Sequence, residues 1–378
     1  MPRPVSAAAM STLPAAAFNP RQVGRSHRVR ESSSGPARSQ PRQTIRFAVV
    51  GINHSHINAQ VNALIRGGGE LVSVYAKEPD LVAEFTRTFP QAKVARSEAE
   101  ILDDPSIQLV ASSIVPVERA PLGIRVMRHG KDYMADKPGI TTLEQLAEVR
   151  KVQAETGRIY SITYSERFEN QATVRAGQLV GAGAIGDVVQ TVGLGPHRMN
   201  AATRPAWFFD KQYYGGILCD IGSHQADQFL YFTGSTTGHV VASQIGNVHN
   251  RQYPAFEDFG DVMLRGNRGT GYVRLDWFTP DGLDTWGDGR LIVLGTDGFL
   301  EVRKNTDIAG RGPGSYLFLC DRQGMQAIDC SQVDLPYGPA LVHDVVNRTE
   351  TAMPQAHCFL ATELMLTAQK QAEWVELA

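Results

Sequence analysis

Cysteine is scarce and scattered, with four in 378 residues and no CxxC pair. Cys219, Cys320, Cys330 and Cys358 therefore exclude a disulfide-stapled secreted scaffold and a cysteine-built zinc site, and read as reduced thiols in a cytoplasm. Basic charge is not in excess: 37 Lys and Arg stand against 39 Asp and Glu, a formal net charge of -2. With no long Lys/Arg run over the folded part, neither nucleic acid nor a membrane surface is an expected partner. Long apolar runs are missing too, since nothing approaches the roughly 18 to 20 residues that cross a bilayer. Residues 1–43 lack an apolar period and contain one acid, Glu31. Their Arg, Ser, Ala and Pro content predicts a disordered leader, although an acid-poor start of this kind also fits a transit peptide or an over-long gene start.

What is present is enough apolar residue, 42% of the chain, to bury two ordinary cores. From Thr44 onward short apolar runs alternate with helical segments, which predicts βαβ units and a parallel sheet. Strands are expected at 45–50, 71–75, near Val94, and at 109–112, 132–135 and 159–164. The helices between them carry capping boxes at Ser97/Glu100 and Thr142/Gln145. Beyond Glu166 the alternation lapses, and strands are expected at 188–193, 240–248, 258–265, 271–278, 290–295 and 299–304. The fold class is thus α/β, with an N-terminal Rossmann-type parallel-sheet domain over 44–165. A C-terminal α+β domain over 166–378 is built on a large, mostly antiparallel sheet. A last helix near 356–374 has to bury an apolar face and is expected to pack back on the first domain.

Three segments carry chemistry. The turn after the first strand reads Gly51-Ile52-Asn53-His54-Ser55-His56, where a dinucleotide fingerprint would be GxGxxG. Only the first glycine survives, but the position aims backbone N–H groups and a helix N-terminus at a pyrophosphate. At the end of the fifth strand Asp136-Lys137-Pro138 sits where parallel sheets place ligands. In the second half, the run from Tyr214 to Asp227 puts Asp220, His224 and Asp227 on one helical face.

These segments resemble the Gfo/Idh/MocA oxidoreductases, through Asp-Lys-Pro, the GGxLxDxGxHxxD pattern and the Gly295-Thr296-Asp297-Gly298 turn. The resemblance implies hydride transfer between NAD or NADP and a hydroxyl or carbonyl carbon of a sugar, polyol or related polyhydroxy substrate. It also implies a homodimer or homotetramer formed through the C-terminal sheet. Position by position it implies Lys137, Asp220 and His224 as catalytic residues, with His224 the acid–base, Asp220 orienting it, and a Lys137-Pro138 bond that is cis. An imidazole suits removal of a hydroxyl proton, and a lysine cation suits developing alkoxide charge. Cofactor contacts are expected from Gly51, Asn53, His54, Ser55, His56, Ala76, Lys77, Asp136 and Lys137. Where the family closes the second strand with an acid, this chain has Ala76 and Lys77, which favours the 2'-phosphate of NADP, though Glu78 could still reach the ribose. Arg119 stands where the family has a histidine, leaving cofactor contacts on that side open.

The substrate is expected near His197 and Arg198, near the stretch Arg204-Pro205-Ala206-Trp207, and near Tyr164 and Arg167 just after the sixth strand. These donors and aromatic faces suit a polyhydroxy ligand, often an acidic one, and suit an interdomain seam equally well. No metal is expected at His54 and His56, because alternate residues in a tight turn usually point apart. The eroded glycine fingerprint leaves two rival readings: a nucleotide-binding regulatory protein without turnover, and a lyase or hydrolase with transient cofactor reduction.

Overall fold

The computed structural model describes residues 44–307 and 309–376; the leader expected over 1–43 lies outside them. The first sheet is built from β1 (Arg46–Val50), α1 (Ile57–Arg66), β2 (Glu70–Tyr75), α2 (Pro79–Thr88), β3 (Lys93–Val94), α3 (Glu98–Leu102), β4 (Leu109–Ser112), α4 (Pro116–Arg128), β5 (Asp132–Asp136), α5 (Leu143–Thr156) and β6 (Tyr160–Thr163). Its strands pair in parallel in the order β3-β2-β1-β4-β5-β6, so the reversal of direction falls beside β1, where such sheets bind ligands. β4, β5 and β6 are buried at every position, as expected for strands covered by helices on both faces. Both expected N-caps form: the Ser97 hydroxyl accepts from the Glu100 amide and Thr142 from that of Gln145, while the Glu100 and Gln145 side chains reach back one residue further than a capping box does, to the amides of Arg96 and Thr141.

The second sheet follows α6 (Ser165–Phe168) and α7 (Gln171–Gly181). It begins with β7 (Val188–Pro196) and continues, after the short helices α8 (Lys211–Tyr214) and α9 (Ile217–Asp220) and the longer α10 (Gly222–Thr233), through β8 (Gly238–Gly246), β9 (Phe259–Gly266), β10 (Thr270–Asp276), β11 (Arg290–Gly295), β12 (Phe299–Arg303), β13 (Tyr316–Asp321) and β14 (Gly324–Ile328). α11 (Tyr337–Asn347), α12 (Gln355–Gln371) and β15 (Glu373–Trp374) complete the described chain. The nine strands lie in the order β14-β13-β12-β11-β7-β10-β9-β8-β15, antiparallel except where β10 meets β7 and β15 meets β8. Three strands and α11 go beyond the sequence expectation. β13 (Tyr316-Leu317-Phe318-Leu319) is apolar on both faces, so it shows no alternation, and β14 is mostly exposed.

α10 packs on β7 and β10, while α12 lies against α5, β6 and β8. The last helix closes an open edge as it does so. The Gln355 amide accepts from the Tyr160 N–H at 2.8 Å and donates to the Tyr160 carbonyl at 3.2 Å, satisfying the edge backbone of β6. Among the described residues no helix is long and apolar enough to cross a membrane.

Candidate active site

The chain leaves β1 through Gly51, whose φ of +76° suits glycine; a Cβ there would lie 2.5 Å from the Ile114 side chain. The turn continues into α1 without a side-chain cap. Among the described residues the amides of Asn53 and Ser55 have no acceptor in the protein, whereas that of His54 donates to the Ser113 carbonyl. Free amides at a helix start fit a pyrophosphate. Glu78, the acid that could have reached a ribose, instead accepts from Asn53 Nδ2 at 2.8 Å. Lys77 is exposed, 3.9 Å from Glu118, beside Ala76.

His54 and His56 do not diverge as expected. Their rings meet edge to face at 4.1 Å, and both Nδ1 atoms face Asp136, at 3.5 and 3.0 Å. The spacing of this trio would admit a metal ion. Arg119 Nη2, however, lies 3.1 Å from the same Asp136 oxygen that His54 faces, so one flank of the carboxylate already carries a fixed cation, which disfavours a divalent ion. Burial alone would raise the Asp136 carboxyl, but His56, Arg119 and His54 hold it well below the usual range.

Arg119, unassigned by sequence, turns out to be a brace rather than a cofactor contact in view. It is 1% exposed. It donates to the carbonyls of Ile114, Lys137 and Pro138 as well as to Asp136, fixing the turn after β5. The Lys137-Pro138 bond in that turn is cis. Asp136 also accepts from the Lys137 amide at 2.8 Å.

Across the gap, Gly215 and Gly216 carry φ of +89° and +94°. A Cβ at Gly216 would lie 2.3 Å from the Gln369 side chain, so the close approach of α12 demands glycine before α9. α9 delivers Asp220, and its carboxylate accepts from Lys137 Nζ at 2.8 Å. The expectation that Asp220 orients His224 is therefore corrected. The carboxylate is engaged by the lysine, and His224 Nδ1 is buried with no partner. Burial first, then the positive charge of Lys137, holds the His224 imidazole well below its ordinary value, so it is neutral at neutral pH.

These residues line one cavity of about 250 Å³ together with His54, Ser55 and His56 from the turn. His197 and Trp207 line it, as the sequence suggested, joined by Glu166, Arg204, Phe208, Trp277 and Trp286. Three of the four tryptophans in the chain thus converge here, a clustering that sequence separation hides. His197 packs edge-on to Trp286 at 4.4 Å and to Trp277 at 5.2 Å. The other three expected substrate contacts lie elsewhere. Tyr164 is fully buried with its hydroxyl 3.3 Å from Thr362. Arg167 makes a two-pronged pair with Asp227 at 2.6 and 2.7 Å, in a separate pocket with Phe168 and Tyr337. Arg198 pins the loop that carries Trp286, through Asp281 at 3.0 Å and the carbonyls of Leu283 and Thr285. None of these three lines the cavity. Asp227, read as structural, holds both Arg167 and His357.

Residues 45–164 match the NAD-binding Rossmann-fold domain of an oxidoreductase family, and residues 173–301 match the GFO/IDH/MocA C-terminal domain. A crystal structure from Erwinia carotovora atroseptica SCRI1043, of a protein assigned as an oxidoreductase, is 46% identical, covers 88% of this chain and 99% of its own, and superposes with a TM-score of 0.85. The NAD(+)-dependent scyllo-inositol 2-dehydrogenase of Bacillus subtilis (strain 168) is 26% identical over 68% of this chain and 73% of that enzyme. An NADP(+)-dependent scyllo-inositol 2-dehydrogenase of the same organism is 27% identical, and there the match spans 43% of this chain and 45% of the enzyme. The chain belongs to the Gfo/Idh/MocA family of NAD(P)-binding oxidoreductases.

Proposed function

We propose that this chain is a dehydrogenase or reductase that moves a hydride between a nicotinamide cofactor and a ring hydroxyl or carbonyl carbon of a sugar or polyol. The observation that carries the proposal is convergence: Lys137, Asp220 and His224 share one aromatic-lined cavity with the Gly51–His56 turn. Such faces suit the C–H faces of a polyhydroxy ring, and the relatives named as inositol dehydrogenases act on that class.

In the oxidative direction the neutral His224 accepts the hydroxyl proton, and the Lys137 ammonium, held by Asp220, stabilises charge building on the oxygen. Nicotinamide, when bound, supplies the hydride acceptor. In the reverse direction His224 returns the proton. The free amides of Asn53 and Ser55 would hold the pyrophosphate. With Glu78 turned to Asn53 and Lys77 free to meet a 2'-phosphate, NADP is the favoured cofactor. Residues 44–165 would hold the nucleotide, and 166–378 the substrate and the contacts between copies. The outward face of the second sheet exposes Met263 and Leu294, which supports a homodimer or homotetramer through that face. Free thiols at all four cysteines support a cytoplasmic setting. The intact Lys137–Asp220 pair beside His224 favours turnover over a purely regulatory role.

Titrating the protein with NADPH and NADH, following nicotinamide fluorescence, tests the reading. Saturable binding with NADPH preferred supports it, and folded protein that binds neither nucleotide removes it.

A further inference from the structure

Three Lys and Arg side chains line the cavity, and two of them are matched by a carboxylate. Lys137 pairs with Asp220 at 2.8 Å and Arg119 with Asp136 at 3.1 Å. Glu166, the other acid at the wall, is matched from behind by Lys304 and by the amides of Gln225 and Gln228. Arg204 is the exception. Among the described residues no carboxylate oxygen lies within 4.0 Å of its guanidinium.

The group is nonetheless held in place. Its Nε donates to the Met199 carbonyl at 3.0 Å and its Nη2 to that of Arg198 at 3.3 Å. The plane lies over Phe208 at 4.4 Å and near Trp277 at 5.4 Å. Nη1 has no acceptor in the described protein and stays accessible, on a side chain that lines the cavity. A desolvated guanidinium with a spare donor is costly to leave unmatched, and its planar fork suits a carboxylate or phosphate. Burial pulls its pKa down, with only Asp220 acting the other way, as expected of a cation short of a counterion.

We propose that Arg204 receives an anionic group of the substrate, so that the molecule turned over is an acidic sugar or polyol bearing a carboxylate or a phosphate. This rests on the oxidoreductase reading and adds the charge of its substrate. Contacts with the Phe208 and Trp277 rings hold the guanidinium against the aromatic wall of the cavity.

The test is calorimetric titration of the NADP-saturated protein with D-glucose, D-glucuronate and D-glucose 6-phosphate, for wild type, Arg204→Gln and Arg204→Lys. One of the two anions should bind at least about tenfold more tightly than D-glucose, a gap equal to one charge-assisted hydrogen bond. Tighter glucuronate identifies a carboxylate and tighter glucose 6-phosphate a phosphate. Arg204→Gln should abolish the advantage of the anion over D-glucose, and Arg204→Lys should keep part of it. D-glucose binding as tightly as both anions, an advantage that survives Arg204→Gln, or no binding of any of the three overturns the inference. NADPH titration of the same proteins separates the two claims. Retained nucleotide binding without anion preference removes this inference alone, and lost nucleotide binding in folded wild type removes the oxidoreductase reading.

Discussion

Lys137 and Asp220, 83 residues apart in sequence, meet at 2.8 Å with side chains 6% and 12% exposed. One comes from the turn after β5 and the other from the end of α9, so the pair ties the parallel sheet to the short helix that leads into α10 and its His224. Removing either partner strands a buried charge, which costs about 3 to 5 kcal/mol. Lys137→Met and Asp220→Asn should each lower stability in denaturant titrations. The double variant Lys137→Met/Asp220→Asn should lose less than the sum of the two single changes. In steady-state assays the proposed mechanism has both single variants lose roughly a hundredfold or more in kcat, because the cation it sets against the developing alkoxide would be gone or misplaced.

His224 has a separable role. His224→Gln keeps the size and much of the polarity of the side chain but cannot take a proton. Turnover should fall by roughly 100- to 10,000-fold, while nicotinamide fluorescence titrations give an unchanged Kd. A matching loss of nucleotide binding would place His224 in cofactor binding instead of proton transfer.

Lys77 is exposed beside Ala76, so a contact between it and a 2'-phosphate would be screened by solvent. Lys77→Ala should weaken NADPH binding roughly fivefold at low salt, less at high salt, and leave NADH unaffected. Equal weakening of both nucleotides would show that Lys77 does not read the phosphate.

Stability should depend on pH through His224 and the partly buried His197. Burial, followed by Lys137, holds both His224 and His197 well below their ordinary value of 6.5. The unfolded chain therefore binds protons that the folded chain does not. Their contribution is complete above about pH 6.5 and is lost as pH falls toward the folded values, at up to about 1.4 kcal/mol per pH unit for each histidine. Asp136 and Glu166, which burial would raise but cationic neighbours hold low, begin to add to the loss only near their unfolded values of 3.8 and 4.5. Denaturant midpoints measured between pH 8 and pH 5, taken here as roughly the working range, should fall below about pH 6.5. A flat profile down to pH 5 would contradict neutral imidazoles at these two positions.

Local signals made much of this legible. The apolar runs of β1, β4 and β11 and the capping residues Ser97 and Thr142 announce their elements within a few positions. Lys137, Asp220 and His224 come together in one cavity as the motifs suggested. What could not be read was pairing at a distance. His224 lies four residues after Asp220, so the sequence suggested that pair, whereas the carboxylate is taken by Lys137. Arg167 and Tyr164 border the cleft in sequence but are consumed by Asp227 and Thr362. Trp277 and Trp286 both lie between β10 and β11, and only the closure of the sheet brings them to Trp207.

The most direct test of the account is hydride transfer itself: following formation of reduced nicotinamide from NADP(+) and NAD(+) with a panel of inositols, neutral sugars, uronates and sugar phosphates, for wild type and His224→Gln. The account predicts reduction by wild type with at least one ring polyol or sugar, faster with NADP(+), and near-absent turnover by His224→Gln despite retained cofactor binding. Wild type that binds cofactor yet reduces it with none of the panel, or His224→Gln that turns over at the wild-type rate, would contradict it.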